Sequence, residues 1–284
     1  MTGADWPVAP DRLPAPVVDN HCHLDTRLRG GERLDVLDAL DRAAAVNVTR
    51  IVQVGCDLES SQWAVDTANA HDPVVAAVAL HPNEAPRLGD GLEAALAEID
   101  RLAATEPMVR AVGETGLDYF RTGDEGRAAQ HHSFREHVRM AHRHDKTLVI
   151  HDRDAHADVL AVLDAEGVPP RTVMHCFSGD ADFARACVDR GAYLSFAGTV
   201  TFTNAPNLRE ALAVTPRDRM LVETDAPFLT PVPHRGRPNA SYLVPHTVRL
   251  MAQVLDADLA QLCHDIEANT DRAFGGGWPS HAAG

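Results

Sequence analysis

Five short apolar runs in this chain each end in a histidine or an acidic residue, and this repeated pattern is the feature that most restricts the fold. The runs end at His21, Glu114, His151, His175 and Asp225. Chance would scatter such side chains through strands, loops and helices. A (β/α)8 barrel instead places its active site at the carboxyl ends of parallel strands. The pattern therefore predicts a barrel whose metal site lies at that end.

Alternating strand and helix signals predict an α/β chain that forms a single (β/α)8 TIM-like barrel. Apolar runs predict eight strands, at residues 16–20, 49–55, 74–80, 108–113, 147–151, 171–175, 192–196 and 219–224. Apolar residues at helical spacing fill the segments between them, and a weakly structured helix is predicted near 257–269. Eight strands that alternate with helices are typical of a closed parallel barrel rather than a sandwich.

The length of 284 residues favours one domain, because barrels of this kind commonly occupy that size. We divide the chain into an irregular segment at 1–14, the barrel at 15–274 and a flexible tail at 275–284, which begins with three glycines. The chain shows no secretory signal and no transmembrane span. Its five cysteines include no CxxC pair, which indicates reduced thiols in a cytoplasmic protein.

His21 and His23 lie two residues apart at the end of the first predicted strand, so their side chains share one face and can reach one ion. Alone, such a pair is a weak signal in a chain with 16 histidines. Cys22 and Cys176 each neighbour a candidate ligand on a strand. We therefore expect both thiols on the opposite face, as buried apolar groups rather than ligands.

Longer motifs surround these residues and follow one another over nearly the whole chain. They are Val17 to Asp25 (VVDNHCHLD), Val112 to Tyr119 (VGETGLDY), Leu148 to Asp154 (LVIHDRD), Met174 to Gly179 (MHCFSG) and Leu221 to Pro227 (LVETDAP). In these motifs and their order the chain resembles the TatD family of metal-dependent hydrolases, usually described as deoxyribonucleases. It departs from the family pattern at Asn20, where a small residue is usual. The segment Arg235 to Tyr242 is also one residue shorter than usual and lacks its later proline, so the family's substrate contacts are not carried over to this segment.

The side-chain chemistry and the resemblance imply the same set of metal ligands. One ion would be held by three of them, a second by two, and a carboxylate would bridge the pair; these are His21, His23 and Asp225, then His151 and His175, and Glu114 as the bridge. Two cations about 3.5–4 Å apart can clamp the attacking and leaving oxygens of a phosphodiester and lower the pKa of a shared water. Asp225 would also accept a proton from that water, so Asp225 and Glu114 are the catalytic candidates.

The donor set predicts two divalent metal ions without fixing the element. Four imidazoles with two carboxylates suit Zn, Mn, Fe, Co or Ni. Mg prefers oxygen ligands and retained waters, so the use of Mg that the family resemblance implies fits this set less well.

Four further residues are candidates for positioning or for substrate contacts. His81 ends the third strand, where it either touches a substrate phosphate or is a hydrogen-bonded rim histidine. Glu223 shares the face of Asp225 one layer deeper and would orient a ligand or a water. Arg153 is a phosphate-binding cation or the partner in a surface salt bridge. Ser178 would cap the helix that follows the sixth strand, or expose backbone amides there to an anion.

Five histidines fall in the long helix predicted over 125–144, outside the barrel. They are His131, His132, His137, His142 and His144. Their spread along the helix predicts a solvated face rather than a metal-binding tract.

The charge balance restricts the substrate. Lys and Arg total 26 against 41 Asp and Glu, a formal net charge of −15. This is opposite in sign to a strong duplex binder. We therefore expect DNA or RNA ends, or a small phosphodiester, as substrate, with no extended duplex-binding surface and no membrane binding. Whether the chain has an obligate protein partner stays open.

Three functions remain in view. The favoured one is a metal-dependent phosphodiesterase or deoxyribonuclease that acts from strand ends through a metal-activated water. The alternative is a barrel hydrolase of C–N or C–O bonds, an amidohydrolase or aminoacyl deacylase, with the same metal centre. Many amidohydrolases carry a carbamylated lysine on strand four, where this chain has Glu114. The third is a non-catalytic scaffold, which would tolerate the loss of a ligand, and none is missing.

Overall fold

Residues 5–28 and 30–281 are described by the computed structural model. Within these residues, eight strands pair in parallel in the order of the chain and wind into a barrel, which confirms the predicted fold. The strands are β1 Val17–Cys22, β2 Val48–Val54, β3 Val74–Val78, β4 Val109–Asp118, β5 Thr147–Arg153, β6 Thr172–Met174, β7 Tyr193–Phe196 and β8 Met220–Val222.

Helices follow the strands and cover the outside of the barrel. In the described part of the chain they are α1 Val36–Ala45, α2 Leu58–Ala70, α3 Ala85–Leu88, α4 Leu92–Thr105, α5 Asp124–Arg143, α6 His156–Glu166, α7 Ala181–Asp189, α8 Pro206–Val214, α9 Val244–Val254 and α10 Leu259–Phe274. None of these helices has both the length and the apolar character that a membrane span needs.

The barrel closes between β1 and the segment that follows β8. Cys22 forms an isolated parallel bridge with Ala226. The backbone N–H of Asp225 donates to the carbonyl oxygen of His21 at 2.9 Å, and that of His23 donates to Ala226 at 2.8 Å. This closure sets the predicted ligands of the first and last strands side by side.

The predicted end of β4 is wrong by five residues, because the strand runs to Asp118 rather than ending at residue 113. The Thr115-Gly116 pair is a turn signal, but here it lets β4 lie very close to β5. A Cβ at Gly116 would collide with the carbonyl oxygen of His151. Glycine is therefore required for close approach at this position rather than for a turn.

The C-terminal helix is also better formed than its sequence suggests. We predict a weakly structured helix near 257–269, whereas α10 extends over 16 residues. Asp258 caps it by accepting a hydrogen bond from the backbone N–H of Gln261 at 2.9 Å. Its buried face includes Leu262 and Ile266, so packing against the barrel stabilises the helix.

Apolar residues fill the barrel interior beneath the site. Val149, Val173 and Leu221 belong to this cluster, and each lies two residues before a candidate site residue on the same strand face. Trp278 belongs to the same cluster and is 4% exposed. The guanidinium of Arg50 lies 4.6 Å from the centre of its ring.

The tail predicted as flexible at 275–284 contacts the barrel within its described part, 275–281. Trp278 is buried against the floor of the barrel. The backbone N–H of His281 donates to the carbonyl oxygen of Thr49 at 2.8 Å. The aromatic residue that follows the three glycines thus packs against the barrel. Residues 282–284 lie outside the described part of the chain.

Candidate active site

The carboxyl ends of the strands bring all six predicted metal ligands together, and Glu114 lies at their centre. Its Oε2 is 2.9 Å from Nε2 of His21 and 3.7 Å from Nε2 of His23. Asp225 lies on the same side, with Oδ1 3.3 Å from Nε2 of His23. One oxygen of Glu114 thus faces the first predicted ligand group.

The other oxygen of Glu114 faces a second set of imidazoles. Oε1 lies 2.9 Å from Nδ1 of His151, 3.5 Å from Nε2 of His175 and 3.0 Å from Nε2 of His81. Glu114 itself is 4% exposed. A buried carboxylate with imidazoles on both oxygens has the arrangement of a bridging ligand.

The donor atoms fit metal ions chemically as well as geometrically. His21 and His23 point their Nε2 atoms at each other across 3.3 Å. Two neutral imidazoles satisfy such a contact only if one of them donates a proton, whereas a cation accepts lone pairs from both. Donors from His21, His23 and Asp225, and those from His21, Glu114 and His175, form groups whose atoms all lie within 4.8 Å of one another. The site can therefore hold metal.

Hydrogen bonds to the far ring nitrogens orient two of the ligands. Nδ1 of His23 donates to the carbonyl oxygen of Val54 at 3.0 Å, which leaves the Nε2 lone pair free for a metal. Nδ1 of His175 donates to Oε1 of Glu223 at 3.0 Å, with the same result. Glu223 is fully buried and also accepts the backbone N–H of Cys176 at 2.9 Å. It lies beneath the ligands, at the depth predicted from the sequence.

His81 has the opposite arrangement and is therefore a donor rather than a ligand. Its Nδ1 accepts the backbone N–H of Asn83 at 3.0 Å. The ring proton of the neutral imidazole must then be on Nε2, which points at Oε1 of Glu114. Of the two alternatives for His81, this geometry agrees with the hydrogen-bonded histidine at the rim, and the ring also lines the cavity.

Asp118 is a site residue that we did not identify from the sequence. Its Oδ2 lies 3.4 Å from Nε2 of His151 and accepts a hydrogen bond from Asn83 at 3.0 Å. A proton on Nε2 of His151 leaves its Nδ1 lone pair beside Glu114. Burial disfavours the charged carboxylate, but hydrogen bonds with His151, Asn83 and the Arg121 backbone hold the pKa of Asp118 below its usual range. On a continuous strand, a spacing of four places Asp118 on the same face as Glu114. We did not use this signal, because Thr115-Gly116 indicated a turn that the structure does not contain.

Asp19 is a second such residue, and it fastens the first strand to the last beneath the site. Its carboxylate accepts hydrogen bonds from the backbone N–H of Thr224 at 2.9 Å and from its hydroxyl at 2.6 Å. Burial raises the pKa of Asp19 to about 6. Asp225, which follows Thr224, has a left-handed backbone with φ of 56°. Strain of this kind is maintained only where neighbouring contacts hold the backbone.

The ionisation of the site favours cations. Burial disfavours charge on Glu114, but the nearby imidazoles of His175 and His81 outweigh it and hold the pKa of Glu114 well below its usual value. Burial likewise acts against protonated His175, but Glu114 and Glu223 raise its pKa well above the ordinary value. The carboxylates thus remain ionised, and without a metal a proton on His175 balances part of their charge; a bound cation would displace that proton and take its place beside the carboxylates.

Comparison with known proteins decides the family. The TatD related DNase family model matches residues 18–275. The chain belongs to the TatD family. It is 46% identical over 267 residues to a Mycobacterium tuberculosis protein named "Uncharacterized metal-dependent hydrolase TatD", with 92% of this chain and 99% of that protein covered. It is 39% identical over 259 residues to the Escherichia coli protein YcfH, described in the same words, with 91% and 95% covered.

A solved structure agrees with the family assignment. The TatD homologue YJJV from Escherichia coli superposes with a TM-score of 0.84 at 27% sequence identity, covering 92% of this chain and 98% of that one. The chain is therefore a metal-dependent hydrolase of the TatD family with the family's barrel.

Within this TatD barrel, the expectation for Cys176 is wrong, while Cys22 is buried in the core as expected. Cys176 lines the cavity because β6 ends at Met174 and the Cys176 backbone is left-handed, so the alternation of strand faces stops before it. Cys56 lines the cavity too, with Sγ 3.9 Å from Nδ1 of His23. Burial raises the pKa of both cavity thiols.

Arg153 and Ser178 both line the cavity. The guanidinium of Arg153 lies 3.9 Å from the centre of the Phe120 ring and has no acidic partner among the described residues, which rejects the surface salt bridge. The expectation that Ser178 caps a helix is wrong. Helix α7 starts later, and Asp180 caps it by accepting two backbone N–H groups of its first turn. The hydroxyl of Ser178 donates to the carbonyl oxygen of Asp152 at 3.2 Å.

Among the described residues, no histidine of α5 belongs to a group of side chains that could hold a metal ion. The prediction of a solvated face is nevertheless wrong for His137, which is fully buried. Its Nε2 accepts the backbone N–H of Leu80 at 3.1 Å, and its Nδ1 donates to the carbonyl oxygen of Ser133 at 2.7 Å. Burial lowers the pKa of His137 to about 4. It is a neutral structural histidine that links α5 to the end of β3.

Proposed function

We propose that this protein is a phosphodiesterase that uses two divalent metal ions and acts on DNA or RNA from strand ends. The observation that carries the proposal is the position of Glu114, whose two oxygens face separate imidazole groups. When bound, two divalent cations lower the pKa of a shared water and stabilise charge on the attacking and leaving oxygens of a phosphodiester. Four imidazoles in the donor set favour Zn, Mn, Fe, Co or Ni over Mg.

The protein's own groups would supply proton transfer and substrate orientation. Burial acts to raise the pKa of Asp225, but the hydrogen bond with His23 and the nearby imidazoles outweigh it and lower that pKa, so the carboxylate is ready to accept a proton from the attacking water. His81 lines the cavity with its Nε2 3.0 Å from Oε1 of Glu114, and its proton would pass from that contact to a phosphate oxygen that enters the cavity. These roles assign Asp225 as the base and His81 as a substrate contact.

The depth of the site supports action at ends. The candidate ligands lie at the bottom of a cavity of about 950 Å³, and His21 and His175 are 0% and 6% exposed. A scissile phosphate must therefore enter the cavity, which an unpaired strand end does more easily than an intact duplex. The net charge of −15 also opposes extended duplex binding.

A substrate panel with several metals tests the proposal. End-labelled single strands, duplexes, a covalently closed plasmid, bis(p-nitrophenyl) phosphate, amides and aminoacyl esters would each be incubated with the holoenzyme, and its metal content measured in parallel. We expect stepwise loss of nucleotides from single-stranded ends and no nicking of the closed plasmid. His132→Gln, which changes an exposed histidine of α5, is the matched control and should match the wild type. Hydrolysis of amides or aminoacyl esters without phosphodiesters would replace the proposal with the C–N or C–O hydrolase.

A further inference from the structure

Three arginines that line the cavity have no acidic partner in the described part of the chain, although acidic residues outnumber basic ones by 41 to 26. Arg121, Arg153 and Arg235 line the cavity, and no carboxylate of the described residues lies within 4.0 Å of their guanidinium groups. Arg237 lines the same cavity but is paired with Asp5 at 2.5 Å. The three unpaired groups keep their charge available for an anion that enters the cavity.

The three arginines lie on two sides of the metal-ligand cluster. Arg121 and Arg153 lie at the ends of β4 and β5, whereas Arg235 lies in the segment after β8, across the eight-stranded barrel. The guanidinium of Arg153 stacks 3.9 Å from the ring centre of Phe120, and that of Arg235 stacks 3.6 Å from Phe202. Stacking holds these planes in place without neutralising their charge.

Phe228 adds an exposed aromatic surface beside the candidate ligands. It lines the cavity, is 52% exposed, and its ring centre lies 6.4 Å from that of His23. Its backbone is fixed on both sides. The N–H donates to the carbonyl oxygen of Asp225 at 2.9 Å, and the carbonyl oxygen accepts Nδ2 of Asn239 at 2.6 Å. An exposed aromatic ring on a backbone held in this way is suited to stacking on a planar group.

We propose that these residues bind the nucleotide units that flank the cleaved bond: the three arginines bind neighbouring phosphates on the two sides of the metal centre, and Phe228 stacks on a base. The assignment rests on the proposed function and names the residues that distinguish a nucleotide chain from a small phosphodiester. Planar guanidinium groups match phosphate oxygens, and aromatic rings stack on any base. The shortened segment that begins at Arg235 thus contributes directly to substrate binding.

The salt dependence of activity tests the arginines. For a short end-labelled oligothymidylate, log kcat/KM against log salt should have a slope of about −2, because each neutralised phosphate contributes about −0.7 for single strands. Arg153→Gln and Arg235→Gln should each make the slope shallower by about 0.7. Each substitution should raise KM for the oligonucleotide more than it raises KM for bis(p-nitrophenyl) phosphate. Arg185→Gln, an exposed arginine of α7 paired with Asp182, is the matched control and should leave both measurements unchanged.

An oligonucleotide that lacks one base tests the stacking role of Phe228. Phe228→Ala should raise KM about tenfold for the normal oligonucleotide, since base stacking on an aromatic ring contributes about that much. It should have little effect on an otherwise identical strand that is abasic beside the cleaved bond. Leu37→Ala removes an exposed apolar side chain of α1 and serves as the control, with no change expected on either strand. Equal losses on both strands would overturn the stacking role.

The two proposals fail in different ways. If the wild type hydrolyses bis(p-nitrophenyl) phosphate but the arginine variants keep the wild-type salt slope, the flanking-nucleotide assignment is wrong and the phosphodiesterase proposal stands. An arginine variant that loses activity equally on the small substrate and the oligonucleotide also overturns the assignment. If the wild type hydrolyses no phosphodiester with any metal, both proposals fall together.

Discussion

Two regions of this barrel are built on the same strand faces yet have opposite chemistry: the mouth, which holds the candidate metal ligands around Glu114, and the floor, which is the apolar interior beneath them. Val149 and His151 lie two residues apart on β5, and Val173 and His175 bear the same relation at β6. The first member of each pair packs in the apolar interior, while the second faces Glu114. A shift of two residues along a strand therefore leads from a side chain packed in the core to a candidate metal ligand. The floor can therefore stabilise the fold while the mouth holds like charges and a strained backbone.

This difference predicts that changes at the mouth abolish activity in a folded protein, and the largest effect is expected for Glu114→Gln. An amide has one oxygen acceptor and one NH2 donor, so it cannot bridge two cations. We expect kcat/KM to fall by at least about a thousandfold, or about 4 kcal/mol, with loss of both ions and little change in thermal stability relative to the metal-free wild type. Metal analysis and steady-state kinetics measure these outcomes.

The control for Glu114→Gln is Glu93→Gln. The side chain of Glu93 is 76% exposed, and its substitution should retain metal and activity. Full occupancy by two ions in Glu114→Gln would contradict the bridging assignment.

Changes at the floor should have the converse effect. Trp278→Ala removes a large side chain that is 4% exposed and stacked against Arg50. We expect the free energy of unfolding to fall by about 3–5 kcal/mol, the usual cost of truncating a buried aromatic residue. Metal content and kcat should stay near wild type where the protein is folded. Urea unfolding checks the first expectation and kinetics the second.

Trp278→Phe keeps most of the buried ring and should recover much of the lost stability. If Trp278→Ala instead lost metal and activity without losing stability, the separation between floor and mouth would be wrong.

The same contrast explains how much the sequence could predict. Strand periodicity repeats locally, so eight strands and the convergence of six side chains at their ends follow from short apolar runs. Cys176 and Ser178 were misplaced because β6 is only three residues long and α7 starts at Ala181, and such boundaries depend on tertiary packing. Asp118 was missed for the same reason, since only the approach of β4 to β5 shows that Gly116 continues a strand.

Contacts between segments that are distant in the chain could not be predicted from sequence patterns. Helical spacing alone does not show that His137 meets the backbone of Leu80, 57 residues away. The burial of Trp278 against β2 likewise depends on a contact with Arg50 across the whole chain. Both contacts join residues that are remote in sequence, so no local pattern predicts them.

His137 tests whether a buried imidazole outside the mouth affects only stability. Its pKa in the folded protein is about 4, against an ordinary 6.5. Since the fold disfavours the protonated form, this contribution is complete above pH 6.5 and is lost as the pH falls towards 4. Full protonation would cost on the order of 3 kcal/mol.

Unfolding free energies measured between pH 7 and 4 should therefore fall less steeply in His137→Gln than in the wild type, since glutamine has no proton to gain. His142→Gln, on the same helix but exposed, should keep the wild-type slope. Parallel curves for His137→Gln and wild type would show that His137 does not carry this acid sensitivity.

The smallest effect is expected at the boundary between the two regions, at Glu223. This carboxylate contacts His175 and the backbone of Cys176 rather than the cavity. Glu223→Gln keeps an acceptor oxygen, so both ions should remain bound while kcat/KM falls about 10- to 100-fold, as usual for a residue that orients a ligand. Asp225→Asn, two residues along and facing the cavity, should lose nearly all turnover. Equal losses in the two variants would place Glu223 among the reacting groups and move the boundary of the mouth one layer deeper into the barrel.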